Sequence, residues 1–377
     1  MIAATRPVQR PRDAKLLVVL ADGRISHVPR PRFVEFLWPG DLVIANDAAT
    51  LPASLHGVHA PSGAAIEVRL AGRRPSSASG TAFMAIVFGA GDFRTRTEDR
   101  PEPPALAPGD RLALGPLAAT VEALLDHPRL VSLRFDADAS SVWAGIARHG
   151  RPIQYAHLPD ALALWDVWTS IASAPVAFEP PSAGFALDWA AIRAMRARGV
   201  EFATITHAAG ISSTGDEQLD CRLPFDEPYE IPAATAAAIR RARSRGGRIV
   251  AVGTTVVRAL EHAARCTGVV AAGPGVANQR LGPFSRLRAV DTILSGTHEK
   301  GSSHYQLLRA FLDDATLAAV SAALDASGYR THEFGDSVLI EKDWRRARRG
   351  RGRAVRRSSY WPSNRPSTLP SVSAMRA

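Results

Sequence analysis

The sequence predicts a mixed α/β protein with a stretch of short antiparallel strands set into it. Three observations carry that expectation. After about Ala147, helical and strand-like segments alternate, which argues for a largely parallel or mixed sheet. From about Ser62 to Phe135, short apolar runs are separated by turn-rich segments, the pattern of an antiparallel sheet or small barrel. The 377 residues are 46% hydrophobic and 22% charged, enough apolar material for the packed cores of about two ordinary domains.

Taken in order, Lys15 to Leu20 reads as a buried strand, Pro39-Gly40-Asp41 as a turn, and Leu42 to Ala45 as a second strand ending at Asn46-Asp47. The short runs are AAIEVRL, AFMAIVF, RLALG, LAATVEALL and LVSLRF, punctuated by SSASG and PEPPALAPGD. Asp188 is placed to cap a helix running to Arg198, with Gly199 just past its end. Val200 to His207 follows as a strand. Pro232 opens a helix through Arg245, whose late arginines suit the negative end of the helix dipole. Ile249 to Val252 is a buried strand, and after Gly253-Thr254-Thr255 a helix runs to about Ala264. Helices at Ser303 to Leu312 and Thr316 to Ala326, then a strand at Ser337 to Glu341, complete the pattern.

The formal net charge of +10 is localised. Arg345 to Ala377 holds ten arginines and no acid, and the preceding 344 residues balance at 36 basic against 36 acidic. This low-complexity tail has no periodic apolar face, so disorder is expected. It reads either as an arm for RNA phosphates or as a non-functional extension. Two cysteines, Cys221 and Cys266, make neither a disulfide framework nor a zinc cluster and fit a reducing compartment. Leu16 to Ala21 follows basic residues but is too short for a signal peptide, and no run approaches the roughly 18 apolar residues of a membrane span. A soluble, cytoplasmic, monomeric protein without membrane contact is expected.

The seam at Gly253-Thr254-Thr255 raises the functional question. A glycine and two hydroxyls between a buried strand and a helix serve either as a cap or as a polar edge for an anionic ligand. The seam lacks the glycine and lysine spacing of a P-loop, and no GxGxxG follows any strand, which argues against a Rossmann dehydrogenase.

RIVAVGTTVVRALE, from Arg248 to Glu261, resembles a segment of the S-adenosylmethionine:tRNA ribosyltransferase-isomerase family of queuosine biosynthesis. PGDLVIANDAATLPASLHG (Pro39 to Gly57), SGAAIEVRL, PPSAGFAL (Pro180 to Leu187) and THEFGDSVLIE (Thr331 to Glu341) resemble it in the same order. The resemblance spans roughly Lys15 to Glu341. It implies an α/β domain interrupted by an inserted antiparallel β-barrel: residues 1–61 and 147–343 as the discontinuous α/β part, 62–146 as the insert, and 344–377 as a disordered arginine-rich tail. It also implies transfer and isomerisation of the ribosyl portion of S-adenosylmethionine onto 7-aminomethyl-7-deazaguanine in tRNA, giving epoxyqueuosine. S-adenosylmethionine is then the ribosyl donor, tRNA the partner, and no metal is required.

Carried over position by position, the resemblance implies His207, Glu227 and His298 as catalytic residues. It implies Asn46, Ser182, Gly184, Gly253, Thr254, Thr255, Arg258 and Ser302 as donor-binding residues. Family arginines fall on Ala49 and Ser54. Family histidines fall on Ala186, Arg222 and Phe225, and the loop around His298 has Gly296 and Lys300 in place of an asparagine and a proline. The alternative is a diverged paralogue with another substrate, or a non-catalytic nucleoside- or RNA-binding protein. Bland readings stand beside these: His207 as a structural histidine, Glu227 in a solvated turn, Asp336 in a turn, and Arg258 with Glu261 as a surface ion pair at i, i+3. Trp143, Trp165, Trp168 and Trp189 read as core packing rather than base stacking.

Overall fold

Leu16 and Val18 point to one side of their strand, and Leu17 and Val19 to the other, because successive strand residues alternate faces. All four are buried, so that strand has a core on both sides. The same holds for Leu42–Asn46 and Ile249–Val252. These strands sit inside a nine-stranded sheet in a computed structural model that describes residues 1–6, 13–73 and 80–342. The arginine-rich tail expected at 344–377 lies outside the described residues.

Across the sheet the strands run Gly273–Ala277, Glu227–Ile231, Glu201–His207, Leu42–Asn46, Ile249–Val252, Thr292–Gly296, Ser337–Glu341, Lys15–Val19 and Ile25–Pro29. The middle four, Glu201–His207 to Thr292–Gly296, are mutually parallel, and the strands flanking those four pair antiparallel to them. Helices Ala233–Ser244, Thr254–Thr267 and Asp314–Ala326 cover one face, on Leu17, Ile44, Ala251 and Ile293. The turn of helix Arg30–Phe36 and the helix Trp189–Ala197 cover the other, on Val18, Val43, Val252 and Leu294.

The helix ends follow their local chemistry. Asp188 caps Trp189–Ala197 by accepting from the Ala191 amide at 2.6 Å, and Gly199 takes φ +72° beyond it. The helix expected at Ser303–Leu312 stops at Leu308, and the next starts at Asp314 because Asp313 caps it by accepting from Thr316 N at 2.7 Å. The seam helix runs to Thr267, past Ala264, and ends on Gly268 in the left-handed region.

The inserted strands close into a six-stranded antiparallel barrel. Its order is Leu117–Leu124, Leu130–Phe135, Ala82–Phe88, Ala64–Arg73, Ser54–His59 and Arg111–Leu114, which pairs back to the first. The strand Ser54–His59 is absent from the sequence reading, since two histidines and a glycine break its apolar alternation. That glycine matters for closure: a Cβ on Gly57 would lie 2.0 Å from the Ala113 carbonyl oxygen. Leu55, Val68, Phe83, Leu112, Val121 and Leu133 fill the barrel.

Trp143 packs on this core, edge-on to Phe83 at 6.0 Å. The expectation of core packing fails for Trp165 and Trp189, which are 72% and 69% exposed, and Trp168 is half-exposed with its indole N–H on the Thr50 carbonyl. Both free cysteines are exposed. Among the described residues, no helix is long and apolar enough to cross a membrane.

Candidate active site

The four parallel strands end side by side at His207, Asn46, Val252 and Gly296, and ligands of α/β sheets bind at such carboxyl edges. Glu227 opens an antiparallel strand, so it enters the sheet at the edge where Glu201–His207 leaves it. A cleft of about 730 Å³, counting its open mouth, lies there.

Glu227 is the electrostatic centre. Its Oε2 accepts from His207 Nε2 at 2.8 Å and from Arg258 Nη1, and its Oε1 accepts from the Gly210 amide at 2.7 Å. Burial by itself would raise its pKa; the Arg258 charge and the His207 hydrogen bond outweigh it and hold the carboxyl at about 2. Arg258 also donates to the Ala277 and Phe225 carbonyls, at 2.8 and 3.2 Å. Glu227 is therefore no solvated turn. Arg258 and Glu261 form no surface pair either: both are buried, and Glu261 accepts from the amides of Arg288, Ala289 and Val290.

Asn46 ties this edge together from behind. Its Oδ1 accepts from the amides of His207 and Ala48, and its Nδ2 donates to the His207 carbonyl at 2.9 Å and to Thr255 Oγ1 at 3.4 Å. The Gly253 turn has φ 95° and ψ 155°, a region essentially restricted to glycine. The glycine therefore occupies the N-cap, and both threonines fall inside the first helical turn. Neither hydroxyl caps the helix, which corrects half of the seam reading. Thr254 and Thr255 line the cleft, and the first-turn amides beside them lack helical partners by position. A 14-residue helix thus presents its positive end to the cleft.

His298 hydrogen-bonds Ser295 Oγ through Nε2 at 2.8 Å and stacks on His304 with ring centres 4.7 Å apart. Burial, then the neighbouring imidazoles, pushes His298 well below the usual histidine range; burial also lowers His304. Glu179 lines the same cleft, with Oε1 accepting from Ser212 N at 3.0 Å and from the Tyr155 hydroxyl. Burial raises its pKa to about 7.

The profile of the queuosine biosynthesis protein family matches residues 1–340. S-adenosylmethionine:tRNA ribosyltransferase-isomerase of Sorangium cellulosum is 33% identical over 362 residues, covering 90% of this chain and 95% of that protein. The protein of the same name from Anaeromyxobacter dehalogenans is 34% identical over 348 residues, again with 90% and 95% covered. The chain belongs to the queuosine biosynthesis protein family. A solved structure of S-adenosylmethionine tRNA ribosyltransferase from Thermotoga maritima is 24% identical with a TM-score of 0.47, covering 90% of this chain and 96% of that one.

Within this family member, Ser182, Glu227, Gly253, Thr254, Thr255, Arg258 and His298 line one cleft, and His207 and Asn46 stand directly behind it. Two expected donor-binding residues lie elsewhere. Gly184 is packed: a Cβ there would meet Thr169 Cγ2 at 2.9 Å. Ser302 caps the helix Ser303–Leu308 by accepting from Tyr305 N, and its neighbours Ser303 and His304 line the cleft instead. Asp336, read as a turn residue, accepts from the Lys15 and Arg330 amides. Glu179, His304 and Tyr155 are absent from the sequence reading. The only signal for Glu179 was its place three residues before Ser182, and for His304 its i, i+6 spacing from His298.

Proposed function

We propose that this chain is an S-adenosylmethionine:tRNA ribosyltransferase-isomerase. It acts on 7-aminomethyl-7-deazaguanine in tRNA, releases adenine and methionine, and leaves epoxyqueuosine. What supports this reading is convergence. The segments around Ser182, Glu227, Thr254-Thr255 and His298 lie far apart in a chain belonging to this family, and they meet around one cleft.

The residues present suit the donor. Arg258 and Glu227 neutralise each other, so the uncapped helix start at Thr254-Thr255 is the electropositive feature left for the methionine carboxylate. The sulfonium acidifies the C5′–H, so one positioned base starts the reaction. Glu227 is a poor base because its oxygens are saturated, and His207 reaches the cleft only through it. His298 is the better candidate: its neutral imidazole lines the cleft and is held by Ser295. His207 and Asn46 then serve as positioning residues. The aminomethyl-deazaguanine reaches the cleft as an extruded or single-stranded base, and the arginines of Arg345 to Ala377 add phosphate contacts. The protein works as a monomer in the cytoplasm, without a metal.

The test combines the purified protein, S-adenosylmethionine and tRNA bearing the aminomethyl-deazaguanine. Adenine release that depends on the modified tRNA, with epoxyqueuosine in the digested RNA, is the expected result. No release with correctly modified tRNA would refute the reading.

A further inference from the structure

Two carboxyl groups line the cleft, and their surroundings pull them in opposite directions. Glu227 accepts three hydrogen bonds, one from an arginine, and is held ionised. Glu179 is only 8% exposed, has no cationic hydrogen-bond partner, and has one oxygen pinned by Ser212 N and the Tyr155 hydroxyl. Among the described residues, its carboxyl has no hydrogen-bond partners beyond Ser212 and Tyr155. The charged and titratable groups facing it are Tyr155, Glu333 and Arg69. Arg69 is occupied by Glu67 at 2.7 Å, and Glu333 by His157 at 3.1 Å. A cleft with one carboxyl kept ionised and one kept protonated has the makings of separate charge-stabilising and acid roles.

We propose that Glu179 donates the proton to the departing purine through Oε2, an inference that rests on the transferase reading above. In this step the C1′–N9 bond breaks and its electron pair moves onto the purine. The Glu179 carboxyl gives its proton to a purine nitrogen, so adenine leaves neutral and Glu179 is left as a carboxylate. That carboxylate recovers a proton from the aminomethyl ammonium of the RNA, which must become neutral before it can attack. The opposing possibility is that Glu179 only fastens the Ala209 to Ser213 segment to the cleft wall through Ser212.

The experiment is single-turnover adenine release by the full chain, from S-adenosylmethionine and modified tRNA, as a function of pH. Wild type should lose rate as pH rises through about 7, as Glu179 deprotonates. Glu179→Gln should be roughly 10²-fold slower or worse and lack that alkaline fall. Its deficit should shrink with a donor analogue whose purine is a better leaving group. A Glu179→Gln variant that keeps the alkaline fall, or is equally impaired with both donors, overturns the proposal. Should that variant not fold, Tyr155→Phe decides. Removing the hydroxyl's hydrogen bond, which favours the carboxylate, should move the alkaline fall to higher pH, and an unmoved fall refutes the role. Wild type that releases no adenine refutes the transferase reading first, and this inference with it.

Discussion

His207 and Glu227 face each other from two antiparallel strands, with Nε2 and Oε2 2.8 Å apart and both side chains buried. Arg258 reaches the same carboxylate from the helix that begins at the Gly253 turn. One residue thus joins two strands and a helix at the edge where the cleft opens.

This arrangement sets an acid dependence of stability. Glu227 has a pKa of about 2 in the fold against 4.5 as its ordinary value, so between these pH values the unfolded chain binds the extra proton. Its contribution is complete above about pH 4.5 and is lost as pH falls through about 2. Urea midpoints measured across that window should fall steeply for wild type and less steeply for Glu227→Gln.

Removing the positive partner should be more damaging than removing the charge. Arg258→Ala leaves a buried carboxylate against His207 and should cost about 3–5 kcal/mol by denaturant titration at neutral pH. A cost below about 1 kcal/mol would mean that water enters to replace the guanidinium.

The barrel carries a parallel case. Glu67 is buried between Arg69 at 2.7 Å and Arg100 at 2.5 Å. Glu67→Ala leaves two arginines uncompensated and should also cost about 3–5 kcal/mol. Glu35→Ala, which removes the half-exposed partner of Arg32, should cost about 0–1 kcal/mol in the same measurement.

Gly253 and Gly268 bracket the same helix, with φ 95° and 80°. Gly253→Ala meets only ordinary contacts, 3.5 Å to Ala183 Cβ and 3.6 Å to Thr255 Oγ1, so its cost is backbone strain of about 1–3 kcal/mol. Because the strain falls on the turn proposed to bind the donor, S-adenosylmethionine affinity measured by calorimetry should drop about tenfold or more. Gly268→Ala, with open space at the far end, should leave that affinity unchanged.

Deleting residues 344–377 tests the arginine tail. Every phosphate that the shortened chain no longer neutralises should flatten the salt dependence of tRNA binding by about 0.7–0.9 in slope. The rate at saturating tRNA should not change. An unaltered slope would leave the tail outside RNA recognition.

Much of the scaffold was legible because it is written locally. Ile249–Val252 and Ser337–Glu341 occupy the positions their apolar runs mark, and Asp188 caps the helix it precedes. Ser54–His59 was not legible, since its place in the barrel comes from pairing with Ala64–Arg73 and Arg111–Leu114 rather than from its own pattern. Trp165 and Trp189 misled, unlike Trp143, because spacing does not say which side of a turn faces water: Trp189 is the first residue of its helix and lies outward.

The alternation of strands and helices, the segment of short strands, the concentration of charge in the tail and the family resemblance can all be read from the linear chain. Those properties depend on residues a few positions apart or on composition. Which polar groups meet is set by packing alone. Asn46 and His207 are 161 positions apart, and Glu227 and Arg258 are 31 apart. Strand register and the shared carboxyl edge of the sheet bring them together. Packing also turned Glu261 and Ser302 to structural use and brought Glu179 and His304 to the cleft. The reason is physical: a polar side chain's role follows from what is buried against it, and burial is a property of the packed chain, not of its neighbours in sequence.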